Sequence, residues 1–551
     1  MLRKNLLTGL LVGLLLTAPL TALSYLGNAL VGLPFLPFDM FNWMTPLIPG
    51  PLITFGIDRM IDMLLLLGFD VATTAKTSEQ IMAVTMFLVG GIVAGTVFYA
   101  VARARQASDH LVAWIAAALY GLPIIAISQA VSRSSVHPAL RIGWLAVLFV
   151  GWGYGLRWLL VQEARAAETG TITPDGAPDG ARDAEPRAVA LSRRQFLITM
   201  GATAATITVV GSGVGVLLSA AERRRREQAL EDTMAHEFDE TAKAVFPNAN
   251  DPVMSAPGTR PEYTPIKDHY KVFLQTEPTF IEAERYTLPI TGLVDNPVML
   301  TLDQITNDFE TFDQYITLSC ISGRVGTTLI STTQWTGPSM QDVLARVGVQ
   351  PEAKYLRIHS GDGFYETVPL ELIHNDRRIM LCHSWDGHPL PSDHGFPLRI
   401  WIPDRFGMKQ PKWITSMELT AEYEEGYWVE RGWDETAQVK TTSVIDTVAV
   451  DAAYANGTQT VIPVGGIAWA GDRQISNVQV RVDGGEWNDA LLRAPLSETT
   501  WVIWRYDWPL EAGNHVFEVK AFEGDGTPQI ETVEDARPSG ATGLHSREAD
   551  V

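Results

Sequence analysis

Four stretches of this chain stay apolar for the length of a bilayer core, at residues 5–30, 80–102, 110–131 and 140–161. A hydrocarbon core of about 30 Å needs about 20 such residues in a helix, so each stretch predicts a transmembrane span. A fifth apolar run, PLITFGIDRMIDMLLLLGF at 51–69, follows prolines at 34, 37, 46, 49 and 51 and carries Asp58, Arg59 and Asp62 in its middle. It reads as a span or as a re-entrant or interfacial segment. Basic residues favour the second reading. Arg3 and Lys4, the ARARQ of 102–106, and Arg182, Arg187, Arg193 and Arg194 all belong on the cytoplasmic side if four spans precede residue 162, and a fifth span breaks one of the three.

Beyond this helical region (1–162) the apolar period disappears. Residues 163–191 include GTITPDGAPDGARDAEP, a flexible linker by composition. LSRRQFLITMG then joins an arginine pair and a phenylalanine to a small-residue apolar run, which predicts a twin-arginine export signal opening a last span within 192–220. Arg223–Arg226, in AERRRREQALED, fall on the outer side of that helix, against the usual charge rule; an ordinary helix of opposite orientation is the competing reading. After a second linker (221–259) the pattern changes to short alternating strands, RYTLPITGLV, KYLRIHS and PLRIWIP, mixed with helical MQDVLARVGV, predicting an α+β domain over 260–425. From 426 to 545, IAWAG, NVQVRVDGGEW, TWVIWRYDWPL and HVFEVKAFEG follow at regular spacing, with an Asp-Gly-Gly hairpin signal. They predict an Ig-like β-sandwich.

The net charge of -21 lies mostly after residue 221, which argues against a nucleic-acid partner. Two cysteines, Cys320 and Cys382, exclude a disulfide scaffold. Before residue 221 the only histidines are His110 and His137, near helix ends, and no Cys-x-x-Cys-His occurs, so no haem is expected.

Cys320 ends an apolar strand and enters a glycine-containing loop in YITLSCISGRVGTTLISTTQWTG. A lone cysteine is ordinarily a packed thiol, and Cys382 is read that way. Around Cys320, however, the sequence resembles the sulfite oxidase family of molybdenum enzymes. The resemblance continues through DGFYETVPL, DGHPLPSDHGFPLRIWIPDRFGMKQPKWI, VKTTSVID, GGIAWAGDRQISNVQVRVDGGEW and GATGLH, over residues 260–545. It implies a molybdenum–molybdopterin cofactor with Cys320 as the thiolate ligand of the metal, a soft donor suited to a metal that cycles by two electrons. It also implies that His394, Arg399 and Lys412 hold the cofactor, with Tyr270, Lys271 and His359 as further contacts. Two departures stand out. Gly323, followed by Arg324, stands where the family commonly has asparagine three residues after the cysteine, and His383 falls where an active-site tyrosine is usual; Arg324 and His383 are therefore read as catalytic candidates, for an anionic substrate and for a proton or metal oxo group.

The resulting expectation is a multi-pass enzyme of the cytoplasmic (inner) membrane with its catalytic domain on the extracytoplasmic face. It would transfer an oxygen atom and two electrons on sulfite, a related oxyanion or a sulfoxide, and pass electrons to a c-type cytochrome or quinone. A homodimer through the sandwich is a further expectation. The alternative class is a transporter or receptor with a degenerate binding domain, favoured by Asp58, Arg59 and Asp62 if they lie within the membrane.

Overall fold

The computed structural model describes residues 2–49, parts of 52–66, 71–105, 109–169 apart from 133 and 135, most of 201–216, and 246–551 apart from 327. Arg193, Arg194, the 170–191 part of the first linker and Arg223–Arg226 lie outside the described residues. The chain forms two compact units, one of Met1–Ile48 with Thr77–Asp239 and one of Pro49–Lys76 with Glu240–Val551.

The first unit holds α1 (Leu2–Val31), α2 (Leu36–Met44), most of α3 (Val71–Ala104), α4 (His110–Val131) and α5 (Pro138–Thr169). Among the described residues, Leu6–Val31, Lys76–Ala104, His110–Val131 and Pro138–Gln162 are long and apolar enough to cross a membrane; most of the 51–69 run lies outside the described residues. Close packing of α4 on α5 depends on small residues. A Cβ at Gly153 would strike the Ala113 carbonyl, and one at Gly121 the Phe149 ring.

In the second unit a five-stranded sheet runs in the order β2 (Val298–Thr301), β1 (Thr287–Gly292), β11 (Ile414–Thr420), β5 (Tyr355–Ser360), β6 (Tyr365–Pro369), with β1 and β11 parallel. Alternation buries Leu288, Ile290, Leu356, Ile358, Met417 and Leu419 against α6 (Met340–Val347), whose Met340, Val343, Leu344 and Val347 share one helical stripe. The Ser339 hydroxyl caps that helix and Gly348, at φ 68°, ends it.

A second sheet, β3 (Thr311–Ser319), β4 (Ile330–Pro338), β8 (Ser384–Trp385) and β9 (His388–Pro389), and a pair formed by β7 (Met380–Cys382) and β10 (Arg399–Trp401), complete this region. Cys382 is fully buried, with its Sγ 3.2 Å from the Ser384 carbonyl, as a packed thiol would be.

The C-terminal part consists of two antiparallel sheets. One contains β12 (Thr442–Val448), β14 (Gln459–Trp469), β18 (Val502–Pro509) and β17 (Leu491–Leu492), with β13 (Tyr454–Asn456) at its edge; the other contains β16 (Asn488–Asp489), β15 (Ile475–Val482), β19 (Asn514–Glu523) and β20 (His545–Asp550). Ile462, Val464 and Trp504 of the first meet Val478, Val480, Phe517 and Val519 of the second in one core.

Candidate active site

Cys320 follows directly on β3. Its N–H donates to the Leu329 carbonyl (3.0 Å), and its carbonyl accepts from the Gly323 N–H (3.0 Å), so a tight turn fixes the thiol. The Sγ stands 3.1 Å from Ser322 Oγ. Burial pushes the Cys320 thiol up, while Ser322 and the Lys412 ammonium pull the other way.

Three cofactor candidates come from one hairpin-like excursion. The 3-10 turn Ser392–His394 is followed by Gly395 at φ 115°, where a side chain would be strained and its Cβ would crowd Lys412 and Arg399. Arg399 on β10 pairs with Cys382 on β7 and bridges to Lys412. Arg399 Nη1 donates to the His394 carbonyl (3.1 Å), and its guanidinium lies 4.4 Å from the Trp335 ring centre. Lys412 Nζ donates to the Val272 and Asp393 carbonyls at 2.9 and 3.3 Å, and Lys271 pairs with the Asp393 carboxylate at 2.6 Å.

These groups are short of negative charge. Burial pushes Arg399 down to about 10, and burial with Arg399 as neighbour pushes Lys412 down to about 7. An anion placed among them would raise both, so the cluster is built to accept one.

The same region gathers buried polar atoms without a hydrogen-bond partner in the protein, His269 Nε2, His394 Nε2, Arg399 Nε and Ser360 Oγ among them. Each such atom costs about 1–3 kcal/mol if left unsatisfied. His269 was not singled out by sequence, although it sits in DHYKV beside Tyr270. Its ring stacks on Tyr270 at 5.2 Å and stands 5.0 Å from the His394 ring and 4.6 Å from Trp385. Tyr270 is buried; its hydroxyl approaches Gly407, and burial, with a smaller contribution from Cys320, raises it well above the usual tyrosine range. A polar heterocycle ending in a phosphate fits this donor set. The imidazoles and guanidinium would face its polar edge, the cations its anionic end and the thiolate a metal.

The structure therefore brings Cys320, Tyr270, Lys271, His394, Arg399 and Lys412 together, and adds His269. It does not bring in His359. On β5 the buried side chains are those of Ile358 and Ser360, and His359 alternates to the other face beside Tyr365. The contacts of His383 likewise lie elsewhere. The His383 N–H bonds the Thr336 carbonyl (3.0 Å), whereas Ser319, next to Cys320, pairs with Ile330. Six strand residues separate those positions, about 20 Å at 3.3 Å each. Asp313, not Cys320, is the charge that His383 senses, burial holds it at about 4, and its Nδ1 is 2.7 Å from Ser384 Oγ. Arg324 leaves the cysteine turn and pairs with the Asp62 carboxylate at 2.8 Å.

Residues 275–428 match the family described as oxidoreductase molybdopterin binding domain. The chain is 25% identical to human mitochondrial sulfite oxidase over 299 residues, 46% of this chain and 55% of that protein. It is 28% identical to the uncharacterized oxidoreductase YuiH of Bacillus subtilis (strain 168), covering 28% of this chain and 76% of YuiH. With the putative protein-methionine-sulfoxide reductase subunit YedZ1 of Azospira oryzae it shares 29% identity, over 28% of this chain and 56% of that protein. The chain thus spans about half the length of the human and Azospira relatives.

Proposed function

We propose that this chain, whose residues 275–428 are a molybdopterin-binding oxidoreductase domain of the sulfite oxidase family, is a membrane-anchored enzyme that transfers an oxygen atom and two electrons on a small sulfur oxyanion or sulfoxide. The observation that carries the reading is the set of partnerless buried polar atoms on His269, His394 and Arg399, all three set against Trp385 in the buried cluster on which Cys320 packs, with Lys412 bridged to Arg399. Cys320 would ligate molybdenum, His269, His394 and Arg399 would hold the pterin, and Lys271 and Lys412 its phosphate. When bound, that group supplies a two-electron couple and a transferable oxygen atom. The protein's share is to hold the substrate, exclude water and place positive charge beside developing negative charge. In the oxidative direction sulfite and water give sulfate, two protons and two electrons; in the other, a sulfoxide, two protons and two electrons give a sulfide and water.

The electrons belong to an external carrier, a c-type cytochrome or a quinone. With the four spans as drawn from the basic residues, the N-terminus is cytoplasmic and the segment 32–76 extracytoplasmic, on the side to which a last helix after Arg193 and Arg194 would deliver the catalytic domain. Membership of Pro49–Lys76 in the catalytic unit supports that topology. The two C-terminal sheets with their shared core support an Ig-like sandwich, a surface on which the chain would form a homodimer.

The decisive experiment is to purify the full chain in detergent and measure molybdenum by mass spectrometry together with viologen-linked turnover of sulfite and dimethyl sulfoxide. Metal near one per chain is expected. Cys320→Ser should remain folded and lose more than about a hundredfold in turnover. Molybdenum-free protein, or full activity in Cys320→Ser, would overturn the proposal.

A further inference from the structure

Arg324 is the cation closest in sequence to Cys320, and in a sulfur oxyanion site it would be the natural anchor for a charged substrate. Its guanidinium is already engaged: Asp62 Oδ1 lies 2.8 Å away, and the other oxygen of the same carboxylate is 3.1 Å from Arg59. Asp62 comes from the 49–76 stretch, which belongs to the catalytic unit although the chain then departs into a membrane-spanning helix. The contact is not isolated. Met60 packs on the cluster that contains Tyr270, Cys320 and Trp385. Further on, Lys76 Nζ donates to the Phe273 carbonyl at 3.0 Å and lies 4.3 Å from the Phe273 ring centre, a ring that Lys412 also faces at 5.1 Å. The segment thus touches the unit beside the cysteine turn and again beside the cofactor cations.

We infer that Asp62 is a specificity-determining residue: it occupies the Arg324 guanidinium, so an oxyanion must compete with a carboxylate there, whereas a neutral oxygen donor such as a sulfoxide need not. The inference rests on the proposed molybdenum chemistry and narrows its substrate class. An incoming sulfite or sulfate must displace the carboxylate from Arg324 and then bear its repulsion. A sulfoxide carries only a dipole, and its oxygen can accept a hydrogen bond without removing the carboxylate. Asp62 acts through Arg324 and does not itself touch substrate, so it is a positioning residue.

The test uses the full chain in detergent, sulfate as the anionic probe and dimethyl sulfoxide with reduced benzyl viologen as the neutral one. Asp62→Asn keeps the shape and removes the charge. It should tighten sulfate inhibition by about three- to tenfold, as for loss of one partly exposed counter-charge, while the KM for dimethyl sulfoxide stays within about twofold. Asp62→Glu should restore the wild-type inhibition constant, and Arg324→Gln in the Asp62→Asn background should abolish the gain. Molybdenum-loaded Asp62→Asn with an unchanged sulfate constant would overturn the role of Asp62, as would a KM for dimethyl sulfoxide that shifts in parallel. Wild-type protein without molybdenum would instead sink the proposed function, so the two failures are separable.

Discussion

His269 and His394 stand with ring centres 5.0 Å apart, and burial holds both imidazoles below the usual histidine range, His269 at about 3. Both are neutral in the folded protein at pH 7. The unfolded chain takes up protons as pH falls through the ordinary value of 6.5, while the folded cofactor-free chain does not until much lower. The unfolded state then binds more protons, so stability is full above pH 6.5 and declines below it. For His269 alone the loss between pH 7.5 and pH 5 is about 2 kcal/mol. Urea unfolding of cofactor-free protein at the two pH values checks this, and His269→Gln should shrink the difference by about 2 kcal/mol. Of these residues, Cys320, His394 and Arg399 were legible because each lies in a motif whose spacing survives in the chain. His269 was not, since one histidine among apolar neighbours has no periodic or spacing signal. The partner of Arg324 was equally hidden, because Asp62 is remote in sequence and reads there as an interruption of an apolar run.

The loop that carries Lys412 is anchored by its other lysine. Lys409, in the 3-10 turn Gly407–Lys409, is buried and lies 2.6 Å from Glu366 on β6, itself fully buried. Such a pair gains little over an apolar substitute, but breaking it strands a charge. Lys409→Met should therefore cost about 3–5 kcal/mol in a denaturant titration, and Lys409→Met with Glu366→Leu should recover most of it. If the single variant also releases cofactor while the double variant retains it, the anchor is what positions Lys412. Strand periodicity was easier to read than this. The hairpin after β15 turns where expected, with Asp483 and Gly484 at φ 53° and 68°. Its return strand, however, starts only at Asn488, because Trp487 is drawn onto Arg481 and Lys520 at 4.6 and 4.5 Å.

At the scale of the molecule, the apolar pattern alone located the four helices long enough to span. The proposed topology makes a direct prediction. Cysteines introduced at Ser134 and Asp525 should react with a membrane-impermeant maleimide in intact spheroplasts, and one at Arg105 only after permeabilisation; the reverse pattern would exclude an extracytoplasmic catalytic domain. What no composition profile could reveal is that the second unit is discontinuous in sequence, made of Pro49–Lys76 and Glu240–Val551. That discontinuity bears on biosynthesis and on experimental practice. On the proposed topology the first piece would reach the outer surface early in translation and wait there for a partner that arrives last and already folded. A soluble fragment begun near residue 246 would therefore bind its cofactor and turn over, yet report the preferences of an amputated enzyme. Only a split protein re-supplied with the missing piece in trans would recover the selectivity of the whole.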